Sequence, residues 1–350
     1  MHVSISARVI ILPMTTESPS YLLLGELRRE YLITPAGNAL LDQPGGNLLY
    51  AASGLKLWGK SPGLMARVGE DYPRSWLDMF RQQGLNTDGV AILPEAHDLR
   101  SFIAYTELSS YFTDDPINHF ARNEITFPKA LLGYEDPNLV QDDRITRSSL
   151  SLRKEDIPED YQYASAAHLC PSDYLTHILM PAILRQFGLT TITLDPGPKY
   201  MRSKAWEDVM ALLPGLSALL VSEQSIRALF EGRSEDIWEM AEALTEYGCP
   251  VIVIKRGAEG QMLYNAESKA KYLIPAYPAR VSDPTGAGDS FCGGFLVGYR
   301  STFDPLQAVL YGNVSASLTI EGSGAFYPLE TLQGLHQARL EMLPELVHRA

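Results

Sequence analysis

Short apolar runs recur down the chain, each followed by a longer amphipathic stretch, and this alternation limits the fold more than any other feature. The runs fall at 21–25, 64–68, 101–106, 166–170, 191–195, 218–221 and 251–254. Helical patterning covers 47–58, 74–83, 203–213, 234–247, 289–301 and 305–321. Strand followed by helix, repeated, is the pattern of a parallel sheet with helices on both faces. From residue 191 onward the runs are apolar nearly throughout, as strands buried on both faces are. The expectation is an α/β fold, doubly wound around a mostly parallel sheet.

Two stretches depart from this rhythm. Residues 26–44 and 92–107 read as strands with one polar face, suited to a small side sheet. Residues 109–151 are rich in Asp, Asn, Pro and Arg without a clean period. That is too long for a simple connection, so the segment reads as an insertion, a lid or a partner surface. Its aromatic residues, among them Phe120, Phe127 and Tyr134, predict packing on the body over about 118–132. Residues 135–149, polar and with few anchors, are expected to be the looser part. No linker divides the chain, so 1–350 is read as one domain.

The formal charge of −13 disfavours nucleic acid and anionic membrane surfaces as partners, because like charges repel. No run reaches about 18 apolar residues and no secretory leader is legible, so the expected location is cytoplasmic. Cys170, Cys249 and Cys292 stand far apart without a CxxC pair, which suits reduced, buried thiols. HExxH pairs are absent from the sequence. The acidic pairs Asp114-Asp115 and Asp142-Asp143 read as solvated loop residues.

The chemistry concentrates in Asp283-Pro284-Thr285-Gly286-Ala287-Gly288-Asp289-Ser290-Phe291. Small residues at a helix start let the backbone approach a ligand, and unpaired N–H groups there point at it. With the helix dipole they make an anion site, suited to a phosphate. Asp289 at its edge either takes a proton from an attacking hydroxyl or merely caps the helix.

This stretch resembles the C-terminal signature of the PfkB, or ribokinase-like, carbohydrate kinases. The resemblance implies an ATP-dependent transfer to a hydroxyl of a sugar-like acceptor, with magnesium on the phosphates and a monovalent cation near Asp283. It assigns the anion hole to Gly286, Ala287 and Gly288 and the base to Asp289. Gly45-Gly46-Asn47 resembles the N-terminal glycine motif and, with Glu30, would meet the acceptor. Lys255, Gly257, Gly260, Thr285, Asn313 and Ser222 would line the nucleotide, and Glu223 is the carboxylate left for a metal. Thr193-Leu194-Asp195-Pro196 matches a central strand end. A β-branched residue at Gly288 is expected to crowd the phosphate-facing amides. The side sheet of the family covers the active site and can mediate a homodimer.

Three positions depart from the family pattern. Glu30 stands where an Asp is usual. Tyr50 replaces an Asn, and either stacks on a ring or fills space. Ser222-Glu223-Gln224-Ser225 replaces Asn-x-x-Glu. These changes keep two other readings open: a nucleotide- or sugar-binding protein without kinase activity, and a kinase for a nucleoside or vitamin precursor.

Overall fold

The computed structural model describes residues 18–137, 142 and 144–349. The chain enters the main sheet with β1 (Tyr21–Leu24) and leaves it for a side sheet with β2 (Arg28–Ile33) and β3 (Ala39–Gly45). It returns through α1 (Asn47–Lys56), β4 (Pro62–Val68), α2 (Arg74–Gln82) and β5 (Asn86–Ile92). A second excursion adds β6 (Arg100–Glu107), β7 (Ser110–Phe112) and α3 (Pro116–Arg122). Strands and helices then alternate through β8 (Ala166–Leu169), α4 (Tyr174–Gln186), β9 (Thr191–Leu194), α5 (Trp206–Leu212) and β10 (Ala218–Ser222). Next come α6 (Glu223–Leu229), α7 (Ile237–Thr245) and β11 (Val251–Lys255), then the pair β12 (Gln261–Asn265) and β13 (Ala270–Ile274). The chain closes with α8 (Ala287–Thr302), α9 (Pro305–Thr319), α10 (Leu335–Met342) and β14 (His348–Arg349).

The main sheet runs β14-β13-β12-β11-β10-β9-β8-β1-β4-β5, parallel from β11 to β5 and antiparallel beyond β11. Side chains alternate between its faces, as period-two strands must. Leu219 and Val221 of β10 join a core with α4, α5, α6 and α7, while Ala218 and Leu220 meet α8 and α9 on the other face. The doubly wound arrangement follows from that alternation. The sheet is mostly parallel, as expected, and the side sheet is ordered β3-β2-β6-β7.

Local chemistry sets the element ends. Asp304 accepts from Leu306 N (2.8 Å) and is followed by Pro305 at the first helical position, which starts α9. Helix α4 escapes the sequence reading because Pro181 interrupts its pattern, yet Asp173 caps it by accepting from Thr176 N (2.9 Å). Of the 92–107 stretch only β6 lies in the side sheet; Ile92 ends β5 at the edge of the main sheet.

Residues 109–151 contribute β7 and α3. Phe120 and Leu131 pack on Tyr31, Ile33, Phe102 and Ala104, so the chain covers one face of its own side sheet. A homodimer through that face would compete with this cover. The expectation of few anchors over 135–149 is corrected for the residues described there. Asp142 accepts from Tyr174 N (2.7 Å), Arg144 pairs with Asp208, and Arg67 donates to the Ser149 carbonyl (2.5 Å). Residues 138–141 and Asp143 lie outside the described residues. Among those described, the three cysteines are free and buried, and no helix is long and apolar enough to cross a membrane.

Candidate active site

Parallel strands of an open sheet present ligand sites beyond their carboxyl ends, and the chemistry of this chain gathers there. Chain direction brings Glu30 of β2 and the Gly45-Gly46 end of β3 to the start of α1. Gly46 N donates to Glu30 Oε1 (2.7 Å) and the Tyr50 hydroxyl donates to Oε2 (2.9 Å). A Cβ on Gly45 would stand 2.0 Å from the Glu30 carboxyl carbon, so only glycine leaves room for this carboxylate. Burial pushes the Glu30 carboxyl above its ordinary range, and the two donors offset part of that rise.

The Tyr50 ring also lies against the Gly286 turn. A Cβ on Gly286 would stand 2.0 Å from a ring carbon, and Gly286 has φ 73°, a left-handed backbone. Gly286 is the residue before α8, so Asp289 is not the helix cap. Asp289 occupies the first turn, beside the Gly288 amide, while Ala287 N donates to the Pro284 carbonyl (3.3 Å). Its carboxyl is pushed up to about 7, first by burial, then by the charge of Asp195, with Lys255 opposing.

Lys255, at the end of β11, pairs with Asp195 just beyond β9 and lies 3.5 Å from the Cys292 thiol. Burial alone would lower its pKa, but the Asp195 charge prevails and keeps it protonated. A Cβ on Gly288 would come no closer than 3.5 Å to Lys255 Nζ, an ordinary contact, and Gly288 has no positive φ. The left-handed position of the turn is Gly286, not Gly288. The side sheet closes over this turn, with the Thr285 hydroxyl donating to the Tyr105 hydroxyl oxygen (3.2 Å).

A profile of the pfkB family carbohydrate kinases matches residues 34–332. The chain belongs to this family. The cytidine kinase of Thermococcus kodakarensis is 26% identical over 278 residues, covering 79% of this chain and 87% of that protein. The probable chloroplastic fructokinase-6 of Arabidopsis thaliana is 24% identical and covers 93% of this chain and 84% of its own. A putative ribokinase II from E. coli, solved with ATP and Mg²⁺, superposes with a TM-score of 0.68 at 16% identity, over 92% of this chain and 99% of that one. The chain is thus a kinase with a ribokinase-like fold, as its sequence implied.

Other residues expected at the site of the kinase also carry hydrogen bonds within the fold. Asn47 accepts from Glu26 N (2.9 Å) and donates to the Pro171 carbonyl (2.7 Å), stitching two loops together. Asn313 accepts from Tyr277 N (2.9 Å) and donates to Gln261 and the Pro275 carbonyl, so its side chain fixes the 275–277 loop from below. Ser222 caps α6, accepting from Ser225 N (3.1 Å). Gly257 and Gly260 shape the turn between β11 and β12, where Arg256 N donates to the Gly260 carbonyl (2.8 Å). Glu223 forms ion pairs with Arg227 (2.7 Å) and Arg256 (2.9 Å), which argues against it as a metal ligand. Among the described residues no three acidic, histidine or cysteine groups cluster to hold a metal. Asp283 differs. Oδ1 accepts from Thr285 N (3.0 Å), while the buried Oδ2 has no hydrogen-bond partner among the described residues.

The Asp289 environment sets a pH dependence. A base works only when deprotonated, so kcat/KM is expected to rise with pH, reaching half its maximum near pH 7. Removing Asp195 charge by Asp195→Asn should move that midpoint down, because Asp195 raises the Asp289 value. A rate profile flat from pH 5.5 to 8 would show that Asp289 does not titrate in the rate-determining step.

Proposed function

We propose that the protein transfers the γ-phosphoryl group of ATP to a hydroxyl of an uncharged-ring acceptor, a sugar or a nucleoside. The observation that carries this reading is Asp289 with its carboxyl near 7, set in the first turn of α8 beside the Gly288 amide. In the reaction the acceptor hydroxyl gives its proton to Asp289 and its oxygen bonds to the γ-phosphorus. The bond from that phosphorus to the β,γ-bridging oxygen breaks, releasing ADP. The amides of the Gly286–Gly288 turn and the Lys255 ammonium face the charge on the moving group. Glu30, fixed by Gly46 and Tyr50, stands on the acceptor side.

Among the described residues no protein cage for magnesium forms, so a magnesium ion would ride on the nucleotide phosphates. The unpartnered Asp283 oxygen does fit a monovalent cation, which would steady the turn ahead of Gly286. ATP consumption across sugars, sugar acids and nucleosides, with and without magnesium, tests the reading. Turnover with a hydroxyl acceptor is expected. ATP binding with no transfer to any acceptor would favour a binding protein.

A further inference from the structure

The side sheet brings one phenol to the Gly286 turn. Along β6 alternate residues face opposite ways. Phe102 and Ala104 lie in the apolar cluster with Phe120 and Leu131, which leaves Ser101, Ile103 and Tyr105 for the face toward the turn. A cavity of about 320 Å³ separates the two, walled by Pro284 to Gly288 on one side and by these β6 residues on the other. Among its described lining residues none is Lys, Arg or His, so the side sheet offers only neutral donors there. Thr285 is the donor in its bond to the Tyr105 oxygen (3.2 Å), so the Tyr105 O–H is not spent in that bond. Burial pushes the phenol above its ordinary range, which keeps the proton in place at neutral pH. The ring is seated beside Tyr111, its partner across β6 and β7, with centroids 5.6 Å apart. Asp136, in the same wall, takes the Thr113 hydroxyl on its Oδ2 (2.6 Å).

We propose that the Tyr105 hydroxyl donates a hydrogen bond to the phosphoryl group held at the Gly286 turn, so that the side sheet completes the anion site begun by α8. This rests on the kinase reading above. The Gly288 amide meets the group from one side of the cavity and the Tyr105 O–H from the other. A donor to a charged oxygen is about twice as strong as one to a neutral oxygen. Charge stays spread over the phosphoryl oxygens during transfer, and a donor fixed beforehand by Thr285 and Tyr111 needs no reorganisation to meet it. Tyr105 keeps its own proton throughout; the acceptor proton goes to Asp289 as above.

The test uses the full chain, wild type and Tyr105→Phe, which removes the oxygen and keeps the ring. Binding of ADP and of the β,γ-imido analogue of ATP, each with magnesium, is read by calorimetry. The variant should hold ADP within about twofold of wild type and bind the analogue about ten- to hundredfold more weakly, because only the analogue carries the third phosphoryl group. On fructose or cytidine, whichever the wild type phosphorylates, kcat should fall by a similar factor. The acceptor KM and the pH midpoint near 7 should stay where they are. Equal losses for ADP and the analogue would make Tyr105 a structural latch on Thr285. A raised acceptor KM with analogue affinity intact would place the hydroxyl on the acceptor instead. Either result overturns the proposal, as does a variant indistinguishable from wild type or a wild type with no affinity for the analogue. A wild type that binds the analogue but phosphorylates no acceptor removes the kinase reading, and the comparison of ADP with the analogue still decides the contact.

Discussion

Asp289→Asn is expected to lower kcat by about 10²–10⁴ while nucleotide affinity stays within a few-fold. The amide preserves the shape of the first turn of α8 but cannot take the acceptor proton. Its neighbours should hold their places, because Lys255 is anchored to Asp195 rather than to Asp289. Single-turnover transfer and calorimetric nucleotide binding separate the two quantities. A variant with wild-type turnover on the true acceptor would remove Asp289 from the chemistry.

Gly286→Ala should be nearly as damaging. The added methyl would need to lie 2.0 Å from the Tyr50 ring, and a left-handed backbone costs a non-glycine residue about 1–2 kcal/mol even in open space. The turn must shift, and its amides lose their aim; a displaced anion-hole donor costs about 10²–10³ in rate. Gly288→Ala is the control, since its methyl meets only the end of Lys255 at 3.5 Å, and it should lose less than about tenfold. Equal losses in both variants, or none in Gly286→Ala, would show that close approach at Gly286 is not what the turn requires.

The pair of glycines also marks where sequence reasoning stops. The run Gly286-Ala287-Gly288 announces a tight approach to a phosphate, but which glycine carries the positive φ depends on where α8 begins. The alternating strands were legible because burial on both faces leaves apolar runs; α4 was not, because Pro181 looks like a stop. Glu30 and Asp289 could be found from motifs that place a carboxylate at a fixed distance from glycines. Asn47 and Asn313 carry the same motif signal, and their amides also tie loops, contacts set by neighbours more than 20 residues away. Tyr50 left stacking and space filling open; the structure has it donating to Glu30 while its ring backs Gly286. Tyr105 offers no signal in the sequence: it is one aromatic residue within a strand, and the fold alone brings it to Thr285.

The contact chain from Glu30 through Tyr50 to Gly286 has a bearing on how such an enzyme can change over generations. One carboxylate, one phenol and one missing side chain fit together, so altering any of them disturbs both the acceptor side and the phosphoryl side at once. Substitutions there are coupled rather than additive, and a lineage would need two or three simultaneous replacements to remodel the pocket from that direction. The 113–137 segment lines a cavity beside the Gly286 turn and is no part of that contact chain. Drift has an open road through that segment and a closed one through Tyr50.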